Sequence, residues 1–110
     1  MAIKANIVID QGADFQALID IEQPDGTPFD LTDHTVAAQM RKTYASQTAY
    51  DFLCTHNGVI GQITLKMDKS VTNELDPGRY LYDVEITAVN NTTTRAIEGI
   101  VTVTPGITRS

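Results

Sequence analysis

Leu75-Asp76-Pro77-Gly78-Arg79-Tyr80-Leu81-Tyr82-Asp83-Val84-Glu85-Ile86 decides how this chain folds. Pro77 presets φ and Gly78 tolerates φ above zero, so Leu75 to Gly78 reads as the approach to a tight turn. Beyond it Tyr80, Tyr82, Val84 and Ile86 alternate with Leu81, Asp83 and Glu85, the period that sends successive side chains to opposite faces of a strand. The same period recurs on both sides. Phe15, Ala17, Ile19 and Ile21 alternate with Gln16, Leu18, Asp20 and Glu22; Val36, Ala38 and Met40 alternate with Ala37, Gln39 and Arg41; Ile63, Leu65 and Met67 with Gln62, Thr64 and Lys66. Ile97, Gly99, Val101 and Val103 oppose Ala96, Glu98, Ile100 and Thr102. Weaker strands near Ile3 to Ile9 and Ala49 to Thr55 complete a set of seven.

Turn residues separate these segments: Pro24-Asp25-Gly26-Thr27-Pro28, His56-Asn57-Gly58 and Val89-Asn90-Asn91-Thr92. Helical spacing is confined to Ser70-Val71-Thr72-Asn73-Glu74, where Ser70 is the expected cap and Glu74 lies in the first turn. Short strands with no long helix between them predict two packed antiparallel sheets rather than βαβ units. The fold class expected is therefore all-β, a seven-stranded antiparallel sandwich with one short helical turn before the sixth strand, in a single domain over residues 1–110. In immunoglobulin-like sandwiches a tyrosine at the corner before such a strand buries its ring and hydrogen-bonds its hydroxyl to upstream backbone. Tyr80 is the candidate for that role, with Leu75, Pro77 and Gly78 shaping the corner.

Composition narrows the function. The 110 residues suit one core, and 42% apolar with 20% charged residues lies outside the signature of disorder. Lys plus Arg number 8 against 14 Asp plus Glu, a net charge of -6 that opposes adhesion to nucleic acid or anionic membranes. The N-terminus lacks a signal-like apolar run, and no stretch of about 18 apolar residues would span a bilayer. Cys54 is alone, so no internal disulfide forms, as suits a reducing cytoplasm.

Candidate chemistry is sparse. Cys54 and His56 stand two apart on one strand face, as a thiolate and its base would, but no orienting third group follows them. Asp83 and Glu85 share a face at roughly the 6 to 7 Å that separates positions two apart on a strand, yet on an ordinary wet face rather than in a desolvating cleft. Asp25, Asp30 and Asp33 do not match a calcium loop, and His34, Cys54 and His56 lack zinc-ligand spacing. The expectation is no catalytic residue, no metal and no cofactor. Leu18, Leu81 and Ile100 instead interrupt polar faces and form the candidate interface, and strand edges at the termini, Ile3 to Ile9 and Ile107 to Ser110, offer backbone that another chain could extend.

Six segments, Leu75 to Ile86 among them, carry a resemblance. Asp10-Gln11-Gly12-Ala13-Asp14-Phe15, Pro24 to Thr32 and Val36 to Arg41, with Gly61 to Leu65, Leu75 to Ile86 and Arg95 to Val103, resemble the small immunoglobulin-like structural domains of tailed bacteriophages. The likeness runs from Ile3 to Arg109 and is nearest to stand-alone virion structural proteins of T4-like cyanophages. It implies a non-enzymatic tail, baseplate or neck assembly domain, made in the bacterial host cytoplasm and built into the virion. Its implied partners are other virion proteins, including further copies of itself. A capsid decoration protein is the alternative within that class. A small carbohydrate-binding module is the alternative outside it, for which only Tyr44 and Tyr50 could supply an exposed aromatic platform.

Overall fold

The computed structural model describes residues 3–23, 25–57 and 60–106. Eight strands form: β1 (Ile3–Lys4), β2 (Ile7–Asp10), β3 (Phe15–Asp20), β4 (Thr35–Arg41), β5 (Tyr50–Asn57), β6 (Gln62–Met67), β7 (Gly78–Thr87) and β8 (Thr93–Thr104), with a single helical turn α1 (Lys69–Thr72) before β7. They make one mixed sheet in the order β1-β8-β7-β4-β5-β6-β3, with β2 also on β8. The sheet doubles over and nearly closes into a barrel.

The fold-over happens at β5. Tyr50 and Phe52 pair with β4, whereas Leu53 to Asn57 pair with β6, so one strand serves both halves. The halves share a core in which Met40, Phe52, Leu65, Tyr82, Val84 and Val101 are buried. Phe52 joins them, its ring 6.0 Å from Phe15 and 6.2 Å from Tyr82. Burying each such side chain is worth about 1.5–3 kcal/mol, the main term holding the layers together.

The purely antiparallel expectation fails at the chain start. β1 and β2 both run parallel to β8, which places Ile3 beside Ile97 and Ile9 beside Val103. A parallel pair needs a long crossover, and here almost the entire chain lies between the two partners. The N-terminal ribbon is also two strands rather than one, because it breaks at Ala5 and Asn6. The Asn6 side chain accepts the Ile100 amide, and the Ala5 carbonyl lies so close to Gly99 that a Cβ there would sit 2.0 Å from it. Glycine within a strand marks this close backbone approach.

Three local expectations also change. Ala96, placed on the outward face, is buried beside Ile97, because the β7–β8 register slips between Val84 and Glu85 and leaves Ala96 as a bulge residue. The helical turn starts one residue before Ser70 and ends before Glu74; Asp68 is its cap, accepting from Ser70 N at 3.0 Å. That hydrogen bond, with one from the Ser70 hydroxyl, lowers the Asp68 pKa. Thr72, fully buried, ties the turn to Ala13 O at 2.8 Å. Finally, His56 and Asn57 continue β5 instead of turning. Gly58 of that expected turn, Pro24 of the Pro24–Pro28 turn and the terminal Ile107 to Ser110 lie outside the described residues.

Candidate surface on the outer face of β4, β7 and β8

Alternation along three neighbouring strands builds the surface. Leu81 on β7 lies between Arg41 on β4 and Ile100 on β8; Asp83 lies between Gln39 and Glu98; Glu85 lies beside Ala37 and Arg95. Together with Lys4, Asn6 and Tyr44, all of these except Ala37 line an open groove of about 660 Å³. The charged residues of its floor bind one another. Arg95 Nε is 3.2 Å from Asp83 and its Nη1 is 3.3 Å from Glu98, while Arg41 donates to Ser46 O at 2.6 Å and to Gln39 Oε1 at 3.3 Å. Water-exposed pairs of this kind add little stability, at about 0–1 kcal/mol each, but fix the side chains that a partner would meet.

Of the three expected interface residues, the structure brings two together. Leu81 and Ile100 are cross-strand partners, whereas Leu18 projects from β3 at the opposite end of the sheet. Val8 and Leu53, exposed to 60% and 67%, were not anticipated. Each had a signal: Val8 alternates with Ile7 and Ile9, and Leu53 with Phe52 and Cys54.

The corner residues lead into and begin β7. Leu75 is buried, Pro77 is exposed, and Gly78 has φ 136, a conformation that favours glycine. Tyr80 buries its ring and donates its hydroxyl to Asp76 O, four residues upstream, at 2.8 Å. Lys42 Nζ sits 4.6 Å from the ring centroid. Burial raises the Tyr80 pKa. Replacing Tyr80 with Phe is expected to cost about 1–3 kcal/mol in denaturant unfolding, and a change within about 0.5 kcal/mol would show that the hydroxyl holds nothing.

Tyr82 fastens the N-terminal ribbon. Its buried hydroxyl donates to Ala5 O at 2.6 Å, and burial pushes its pKa up to about 12. A folded-state pKa above the unfolded value near 10 means that this stability is intact below about pH 10 and is lost as pH rises towards 12. Alkaline titration of folding should therefore show a loss between those values that Tyr82→Phe reduces. An equal loss in the variant would contradict this role for Tyr82.

The other candidate chemistry does not assemble into sites. Cys54 is half-buried, burial raises its thiol pKa, and its Sγ faces Phe52 O at 3.6 Å. His56 Nε2 instead meets His34 O at 3.0 Å. Asp25 accepts from the Thr27 hydroxyl and Asp30 from the Thr32 amide, and hydrogen bonds from the side chains and backbone of these threonines lower both carboxyl pKa values. Among the described residues no three His, Cys, Asp or Glu side chains are grouped to hold a metal ion. Nor is any described helix long and apolar enough to cross a membrane. Tyr44 is exposed, but Tyr50 is half-buried with its ring edge-on to Tyr80 at 6.2 Å, so the expected pair of platform aromatics reduces to one.

No family model matches the sequence, and no curated protein is recognisably similar to it. Solved structures do resemble the fold. An internalin-like protein of Listeria monocytogenes superposes on 94% of this chain and 28% of its own, with a TM-score of 0.51 and 20% identity. The SrpA adhesin of Streptococcus sanguinis superposes on 90% of this chain and 54% of its own, with a TM-score of 0.51 and 10% identity. The chain thus spans 28% and 54% of those two structures. At such identities the likeness concerns the fold alone.

Proposed function

We propose that this chain is a non-enzymatic assembly domain of a tailed-phage particle, an immunoglobulin-like sandwich that docks onto other virion proteins. One layer would be β2, β8, β7 and β4, the other β3, β6 and the second half of β5, with Tyr80 as the corner tyrosine. The virion assignment rests on the sequence resemblance; the docking assignment rests on the β4–β7–β8 face. There Leu81 and Ile100 sit side by side in a groove whose charges are already oriented by Arg95 and Arg41. A mixed apolar and charged surface of this kind fits a protein partner, which supplies both apolar contact and complementary charge. Its position in tail, baseplate, neck or capsid decoration follows from the partner.

Phage bearing Ile100→Asp in this protein are expected to lose the chain from purified particles, because a carboxylate would be buried against the partner. Val89→Asp, on an exposed loop residue, should leave incorporation unchanged. Normal incorporation of folded Ile100→Asp protein would exclude this face.

A further inference from the structure

We propose that the open edge of β3 pairs with the same edge of a second copy, in antiparallel register about a twofold axis at Leu18. Among the described residues β3 ends the sheet, with hydrogen-bonded neighbours only on its β6 side. Ile21 N donates to Gly61 O at 2.8 Å, extending the β3–β6 ladder by one position. Because hydrogen-bonded positions alternate in an antiparallel ladder, Phe15, Ala17 and Ile19 point their backbone groups at β6. Gln16, Leu18 and Asp20 then point theirs outward, unpaired among the described residues.

Two observations favour a strand as the missing neighbour. The inward side chains Phe15, Ala17 and Ile19 are only half-buried, although their β6 partners Met67, Leu65 and Ile63 are buried, so the core is left open at this edge. Phe15–Asp20 also holds no proline, lysine or arginine to blunt the edge and keeps an unbroken register with β6; its one charge, Asp20, lies at its end. The other end of the sheet differs, since the β1–β2 ribbon is interrupted at Ala5 and Asn6.

Self-complementarity identifies the second copy as the occupant. With Leu18 opposite Leu18, the Gln16 amide faces the Asp20 carboxylate on both sides of the axis, and Ala17 meets Ile19 on the core side. All outward backbone groups of Gln16, Leu18 and Asp20 are then paired. Shifting the register two residues one way sets Asp14 against Asp20, and the other way sets Leu18 against Asp20. Asp14 and Glu22 would oppose each other only beyond the paired segment, and Asp14 Oδ1 is already turned onto the Lys69 amide at 2.8 Å. A twofold pairing of this sort is an isologous, closed interface. It lies at the far end of the sheet from the β4–β7–β8 face and does not depend on the virion reading.

Analytical ultracentrifugation of the full chain over a concentration series should show a monomer–dimer equilibrium. Leu18→Lys, which sets two ammonium groups together at the axis, should leave a folded monomer, while Leu53→Lys on β5 should still dimerise. In a Cys54→Ala background, Leu18→Cys should cross-link on mild oxidation, since paired Cα atoms about 5.5 Å apart lie within disulfide reach. Gln16→Cys, displaced from its own copy by four positions, should not. A monomer at every concentration, a dimer unaffected by Leu18→Lys, or cross-linking through Gln16→Cys alone would overturn the proposal.

Discussion

Gly61→Ala is expected to destabilise the protein by about 2–5 kcal/mol, the sum of about 1–2 for left-handed backbone and about 1–3 for overpacking. Gly61 has φ +65, and a Cβ there would stand 2.5 Å from Phe29 O, 2.7 Å from Ile21 O and 2.9 Å from Phe29 N. All three are backbone atoms, so no side chain can swing aside. Hydrogen bonds here tie the residue after β3 both to Gly61, directly before β6, and to Phe29, through Ile21 N to Gly61 O and Phe29 N to Ile21 O, each at 2.8 Å. Chemical denaturation should show the loss as a lower midpoint with an unchanged slope. A variant within about 0.5 kcal/mol of the parent, a size usual for inconsequential surface changes, would contradict this packing.

Gly99→Ala should lose about 3 kcal/mol, the upper end for a methyl forced into packed surroundings, and should do so locally. Its Cβ would lie 2.0 Å from Ala5 O, the atom that also accepts the Tyr82 hydroxyl. Relief requires the N-terminal ribbon to move off β8, breaking the Ala5 N to Glu98 O bond of 3.0 Å and the parallel pairing of Ile7 to Asp10 with Val101 to Thr104. Ile9, fully buried, would be drawn out with it. Hydrogen exchange should therefore accelerate first in Ile7 to Asp10 and in their β8 partners, while the amides paired between β3 and β6 stay protected. Uniform acceleration across both layers would contradict the local account.

Much of the fold was legible in the sequence because half-buried strands write their burial as a period of two. Ile63, Leu65 and Met67, and Tyr80 through Ile86, face the core as their alternation requires. Tyr80 stood out because proline and glycine place a turn directly before it. What the pattern could not carry was direction and neighbour. Alternation is the same in parallel and antiparallel strands, so the parallel approach of β1 and β2 to β8 left no mark except Gly99, whose missing side chain was read as an inward strand position. A single bulge residue likewise shifts phase without altering composition, which hid the burial of Ala96. Asp68 displaced Ser70 as cap because either side chain can accept an amide and the spacing does not choose between them.

The surface was legible residue by residue but not as a surface. Leu81 and Ile100 were recognisable as apolar residues among polar neighbours, yet only the β7–β8 register makes them partners and separates Leu18 from them. The ion pairs of Arg95 depend on the same register. Asp83 and Glu85, a carboxylate pair by spacing, therefore enter an exposed charged face on which Arg95 holds Asp83.

Mass spectrometry of purified, fractionated phage particles tests the central claim most directly. Peptides of this chain should appear in a fixed ratio to the proteins of one particle part, and cross-links should run from Lys4, at the groove, to a neighbour in that part. Absence of the chain from every particle fraction, with the protein abundant in the infected cell, would contradict the assembly role.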